Sequence, residues 1–287
     1  TGRDRALGEI VVGGLRIVGA SVVGSSHEKV GQPREDAFYW RGLPGGCLVA
    51  AISDGVGSTR HAQIAAGLAV RSVVDEIADR ISSPGDVRHW RAVANHAVAV
   101  AAGHLRPDLV DDVARRQSTH AVSAEKKERS PACTLLATML VPDSRGLNVY
   151  WVSVGDSQLL SRDIQRSPAW RIETGSETEQ EPQGRYLSNA TDSLPRDLGK
   201  VTVGHQLFGS GTLLLLATDG FVRTLEIRSS PADPFVAAER LRTITADGFF
   251  AAVDEPLPQC WDDRTAVLIQ ALSSPDQDPS SYFWWEF

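Results

Sequence analysis

The stretch Leu213-Leu214-Leu215-Leu216-Ala217-Thr218-Asp219-Gly220 is an apolar run that ends abruptly in an acid and a glycine. Its length suits a buried strand, and Asp-Gly is a turn signal. A similar construction, an apolar run ending in an acid followed by a small residue, occurs in Leu48-Val49-Ala50-Ala51-Ile52-Ser53-Asp54-Gly55 and in Val149-Tyr150-Trp151-Val152-Ser153-Val154-Gly155-Asp156-Ser157. Two more runs carry acids at their start: Glu35-Asp36 opens residues 36–41, and Trp261-Asp262-Asp263-Arg264 leads into residues 265–271. In an antiparallel sheet the end of one strand lies beside the start of its neighbour, so these ends and beginnings can gather at one edge of the core. A simple turn accounts well for one Asp-Gly. It accounts less well for five acid-bearing strand ends.

Clustered carboxylates repel one another and hold on to protons unless a cation neutralises them. An all-oxygen ligand set suits Mg²⁺ or Mn²⁺ rather than zinc or copper. Two such ions can activate a water and clamp a phosphoryl oxygen. The residues alone therefore point to metal-assisted phosphoester hydrolysis.

Working outward, residues 15–23, 36–41 and 47–53 read as strands, followed by helices at 62–81 and 87–105 with Pro107 as a stop. Residues 108–129 are polar and read as helical. Strands return at 133–141 and 147–154, with Pro142-Asp143-Ser144-Arg145-Gly146 as a hairpin connection. Shorter strands are expected at 159–162 and 170–172, a long mobile loop at 173–196, a buried strand at 212–218, a helix at 234–245 and a last strand at 265–271. This order predicts an α+β fold: a four-layer α/β/β/α sandwich of two mostly antiparallel sheets flanked by helices.

The chain has 287 residues and a formal net charge of −7. A pI near 5.5 without a basic run gives no footprint for nucleic acid. No apolar stretch approaches the ~20 residues that span a bilayer. Cys47, Cys133 and Cys260 are odd in number, lack C-x-x-C spacing and read as reduced thiols of a cytoplasmic protein. The start, Thr1-Gly2-Arg3-Asp4-Arg5, reads as a trimmed segment rather than a signal peptide.

Taken in order, Gly31…Arg34-Glu35-Asp36-Ala37-Phe38, Ser53-Asp54-Gly55-Val56-Gly57-Ser58, Cys133-Thr134, Gly155-Asp156-Ser157, Thr218-Asp219-Gly220 and Asp262-Asp263-Arg264-Thr265 resemble the metal-dependent protein phosphatases of the PPM family, the type 2C Ser/Thr phosphatases. The wording of Ser26-His27-Glu28-Lys29, Asp54-Gly55-Val56-Gly57-Ser58 and Ala65-Ala66-Gly67-Leu68-Ala69-Val70 is similar to the bacterial branch. The resemblance implies a binuclear Mg²⁺/Mn²⁺ centre, with a third ion in some members, whose activated hydroxide attacks phosphorus in line. Carried over by position, Asp54 would bridge both metals and the Gly55 carbonyl would bind one. Asp219 and Asp262 would bind the other, Glu35 and Asp36 would hold metal-bound waters, and Asp156 would serve a looser third position. Asp36, Asp54, Asp219 and Asp262 are thus the expected catalytic set.

The sequence departs from the family pattern where a phosphate-gripping Arg usually precedes the Glu-Asp pair, leaving Arg34 or Lys29 to bind phosphate. The His that often follows Asp-Gly is Val56 here, with His27 and His61 nearby in sequence. The expected organisation is a single phosphatase domain over residues 8–272 and a C-terminal tail over 273–287 ending in an aromatic cluster. The resemblance implies a phosphorylated protein substrate and, as natural partners, a bacterial Ser/Thr kinase or its targets, with the chain acting as a monomer. The competing expectation is a regulatory module, a pseudophosphatase that binds a signalling partner through the same fold.

Overall fold

The computed structural model describes residues 4–81, 84–116, 130–164, 169–174, 191–228, 230, 232–257 and 261–272. A six-stranded sheet contains β1 (Arg5–Val12), β2 (Leu15–Val22), β7 (Gln158–Asp163), β8 (Arg171–Ile172), β10 (Thr212–Ala217) and β11 (Arg264–Ala271), in the order β1-β2-β11-β10-β7-β8. A five-stranded sheet contains β3 (Ala37–Gly42), β4 (Leu48–Ser53), β5 (Leu135–Asp143), β6 (Gly146–Val154) and β9 (Thr202–Gly209), in the order β3-β4-β5-β6-β9. All of these pairings are antiparallel.

The continuous apolar runs follow from burial on both faces of each sheet. On β4, Leu48, Ala50 and Ile52 point between the sheets, where they meet Leu214, Leu216, Val267 and Ile269. Their neighbours Val49 and Ala51 face α2 (Ala62–Arg80) and α3 (Trp90–His104). On β10, Leu213, Leu215 and Ala217 turn the other way, onto Phe221 of α5 (Asp219–Ile227) and Phe249 of α6 (Ala246–Asp254). Truncating a side chain such as Leu216 to alanine is worth about 2–5 kcal/mol in a core of this kind. Helix, sheet, sheet and helix thus stack as four layers, the α+β architecture expected from the element order.

Several expectations shift in detail. Pro107 does end α3, but it also opens α4 (Pro107–Arg116), where a missing N–H costs nothing; residues 117–129 lie outside the described residues. The expected helix at 234–245 is instead turns followed by a short 3₁₀ segment, Ala238–Arg242. The carbonyls that such a helix needs are occupied: Arg162 donates to the Phe235 and Val236 carbonyls at 2.9 Å, and Trp170 Nε1 donates to Phe235 at 3.0 Å. The helix forms later as α6, capped by Thr245, whose hydroxyl accepts from the Gly248 N–H at 3.0 Å. Residues 175–190 of the long loop, the tail 273–287 and Cys260 lie outside the described residues. Cys47 and Cys133 are buried free thiols, and burial pushes the Cys133 thiol up to about 12. Among the described residues no helix is long and apolar enough to cross a membrane.

Candidate active site

Strand register brings the acids together. Ala37 of β3 pairs with Ser53 of β4, so the residues one step beyond, Asp36 and Asp54, sit side by side. Ile52 pairs with Leu136 on β5, and the next step joins the Asp54 carbonyl to the Thr134 N–H at 2.8 Å. In the opposite sheet Ala217 pairs with Ala266, and the Thr218 N–H reaches the Thr265 carbonyl at 3.0 Å, which aligns Asp219 with the Asp262-Asp263 pair. Gly220 makes this alignment possible. A Cβ there would lie 2.0 Å from the Asp263 carbonyl oxygen, so the first turn of α5 can approach the start of β11 only without a side chain.

Asp36 is buried, and its Oδ2 accepts from Thr218 Oγ1 at 2.8 Å. That hydroxyl in turn accepts from the Thr265 N–H at 3.1 Å, so Thr218 does not cap α5 but ties the two sheets together. Asp36 Oδ1 is buried with no hydrogen-bond partner among the described residues. The Asp54 carboxyl lies within hydrogen-bonding reach of both Asp36 and Asp219. Burial and then the charge of Asp263 push the Asp36 carboxyl up to about 8. Burial, followed by Asp36 and Asp219, raises Asp54 well above the usual carboxylate range. Burial is also the leading cause of the raised values at Asp219, Asp262 and Asp156. Asp156 and Asp262 are nonetheless exposed to solvent, so they stand at the mouth of the cluster while Asp36 closes its floor. Thr191 donates to Asp156 Oδ2 at 3.1 Å, which puts the described end of the long loop against the mouth.

The expected phosphate-binding residues are placed differently. The Arg34 guanidinium faces inward, donating to Ser21 Oγ at 2.8 Å and to the Asp36 carbonyl. Lys29 is exposed on the short helix α1 (Ser25–Lys29). His27 lies at the site, with Nδ1 3.0 Å from Asp263 Oδ1 and Nε2 3.7 Å from Glu35 Oε2; its bond to Asp263 raises its pKa. His61 turns away toward Asp111 of α4, at 3.4 Å.

Two residues take on more than their sequence position suggested. Asp263 is buried and accepts from the Gly24 N–H at 2.6 Å, the Glu35 N–H at 2.5 Å and His27, so it pins the segment that carries Glu35 and Asp36. The doubled acid Asp262-Asp263 was the signal for it. Arg223, one turn after Asp219 on α5, pairs with Asp219 at 2.6 Å and lies 3.9 Å from Asp262. Its i,i+4 spacing from Asp219 on a helix was legible, but only once α5 is recognised.

The donor set fits hard divalent cations: oxygen ligands throughout, an orphaned Asp36 Oδ1 and carboxyls whose mutual repulsion a cation would relieve. Among the described residues no three His, Cys, Asp or Glu side chains close around one point; Asp54 meets Asp36 on one side and Asp219 on the other. Pairs suffice for Mg²⁺, which keeps several waters and takes one or two carboxylates.

Sequence comparison gives this two-sheet sandwich, with its acids converging at one edge, a family. The chain belongs to the protein phosphatase 2C family, whose model matches residues 23–257. It is accordingly a protein-serine/threonine phosphatase by family. No curated protein matches the sequence significantly. Among solved structures the fold is similar to the serine/threonine phosphatase of S. agalactiae, with 16% identity over 90% of this chain and 99% of that one and a TM-score of 0.55. It is also similar to PppA, a regulatory component of T6SS in Pseudomonas aeruginosa, with 16% identity over 91% and 99% of the two chains and a TM-score of 0.50.

Proposed function

We propose that this chain hydrolyses phosphoserine and phosphothreonine in a phosphorylated protein, with two divalent cations, Mg²⁺ or Mn²⁺, held by the convergent acids. The observation that carries the reading is the Asp36–Asp54–Asp219 contact chain, in which burial and repulsion leave carboxyls protonated unless positive charge is supplied. Asp54 would be shared between the ions, the Gly55 carbonyl, Asp36 and Glu35 would serve one side, and Asp219 and Asp262 the other. Asp156 would offer the looser third position. When bound, the cations supply charge neutralisation at the phosphoryl oxygens and an activated water as nucleophile.

The chain's own groups position this chemistry. Thr218 fixes Asp36 from the opposite sheet. Asp263 fixes the Glu35 backbone and orients His27, whose Nδ1 donates to it. His27 Nε2 then faces Glu35 across 3.7 Å, so the pair can hold a proton at the edge of the cluster. An opposing bacterial Ser/Thr kinase, a cytoplasmic location and a monomeric state complete the proposal.

The regulatory reading has one observation in its favour. Arg223 pairs with Asp219 at 2.6 Å and so neutralises part of the cluster with a protein cation. Phosphate release from a phosphoserine peptide in Mn²⁺ and in EDTA separates the two, with Asp54→Ala and Asp219→Ala as controls. The proposal expects Mn²⁺-dependent turnover that falls by at least ~10²-fold in either variant. Equal rates in all three proteins would leave only the binding module.

A further inference from the structure

We propose that Arg223 grips the phosphoryl group of the substrate at the mouth of the acid cluster, the part that the sequence had offered to Arg34 or Lys29. The inference rests on the phosphatase reading and deepens it by naming the side chain that meets the phosphate.

The placement of the guanidinium carries the argument. Arg223 stands one turn beyond Asp219 on α5, with Nη2 2.6 Å from Asp219 Oδ2 and Nη1 3.9 Å from Asp262 Oδ2. Its charge also reaches Asp156, whose ionised form it favours. The group therefore lies between Asp219 and the two acids that stand at the mouth. The helix beneath it is well anchored: Phe221 is fully buried with its ring centroid 5.0 Å from that of Phe235, and Gly220 lets the first turn touch the Asp263 carbonyl. The Arg223 side chain is itself 57% exposed, so a group arriving from solvent can reach it. Arg34, by contrast, spends its guanidinium on Ser21 Oγ and the Asp36 carbonyl.

The chemistry suits the placement. A guanidinium carries five N–H donors in a fixed fork that matches two oxygens of a phosphate, and such charge-assisted bonds are about twice as strong as neutral ones. In the metal-free chain that fork is turned on Asp219. With Asp219 and Asp262 neutralised by divalent cations, the pull on the guanidinium weakens and its donors turn to the next anion. That anion is the phosphoryl group, drawn to the same carboxylates by the same cations. Adjacent oxygens around an octahedral Mg²⁺ lie about 3 Å apart, so a guanidinium that touches Asp219 Oδ2 also reaches a phosphoryl oxygen beside it.

The test uses the full chain loaded with Mn²⁺ as wild type, Arg223→Gln and Arg223→Lys. The first readout is calorimetric titration with inorganic phosphate. Arg223→Gln is expected to bind phosphate roughly ten- to hundredfold more weakly, the loss of one charge-assisted bond, with Mn²⁺ binding no weaker than in the wild type. Arg223→Lys keeps the charge without the fork and should recover part of the loss. The second readout is turnover. The loss in kcat/KM should be alike for a phosphoserine peptide and for p-nitrophenyl phosphate, because both bring the same phosphoryl group. Equal phosphate affinity in the wild type and Arg223→Gln would overturn the proposal, and so would a loss confined to the peptide. Weaker phosphate binding accompanied by weaker Mn²⁺ binding would overturn it too, since Arg223 would then support the metal site. If the Mn²⁺-loaded wild type hydrolyses neither substrate, the phosphatase reading itself fails, and this one with it.

Discussion

Asp36→Asn should make the metal-free protein more stable while removing its activity. In the folded chain burial and neighbouring acids push the Asp36 carboxyl from 3.8 up to about 8. The folded state therefore keeps a proton that the unfolded chain releases near 3.8, and stability falls as pH rises through that window. Each unit of the window is worth about 1.4 kcal/mol. At pH 7 the ceiling is about 4 kcal/mol, and proton sharing with Asp54 reduces it, so about 2–4 kcal/mol is expected. The amide removes the charge, keeps an oxygen to accept from Thr218 Oγ1, and offers an N–H₂ donor to Asp54. For a chain of this size the gain corresponds to roughly 5–15 °C in Tm. The assay is thermal unfolding by circular dichroism in EDTA, from pH 5 to pH 8. The wild type should lose Tm steeply along the series, the variant less steeply because Asp54, Asp219 and Asp262 keep raised values, and the two should diverge most at pH 8. Coincident curves, or a wild-type Tm that rises with pH, would refute the electrostatic reasoning.

Other consequences can be measured in the same way. Asp263→Ala strands the Gly24 and Glu35 N–H groups, each worth about 1–3 kcal/mol when buried without a partner, so a Tm drop of roughly 5–15 °C is expected in EDTA as well as in Mn²⁺. Gly220→Ala forces α5 away from the Asp263 carbonyl; it should lower Tm by a similar amount and weaken Mn²⁺ binding, which calorimetry would register. Arg223→Gln removes a guanidinium 2.6 Å from Asp219, and an Mn²⁺ affinity several-fold tighter than wild type is the expected isothermal titration result. Weaker binding would instead make Arg223 a supporting residue of the site.

Much of this architecture was written in β4, β10 and the second half of β6, because a strand buried on both faces must be largely apolar and its acids can appear only where burial ends. The hairpin at residues 142–146 and the small-residue helix α2 were equally open to reading. The sequence hid elements that sit at edges or start abruptly. β1 pairs along its whole length with β2 yet is mostly half-buried, and it begins at Arg5, before the expected start of the domain at residue 8. β9 is an edge strand with only Phe208 fully buried, so it lacks the apolar alternation of a strand. α5 begins at Asp219 itself, directly after β10, which leaves no separate helical signal.

At the site, residue types identified the acids, but only the register shows that Asp36 and Asp54 touch. The inward turn of Arg34 was not legible, because it depends on Ser21 and the Asp36 carbonyl as partners. Nor was the role of Asp263, whose two backbone donors come from Gly24 and Glu35, more than 200 residues away in the chain.

The central claim, that these acids form a divalent-cation site, is tested most directly by counting Mn²⁺ ions bound by the wild type and by Asp54→Ala in a single calorimetric titration. At least two ions on the wild type and at most one, weakly held, on the variant is the expected result. Equal stoichiometry and affinity in the two proteins would contradict the account.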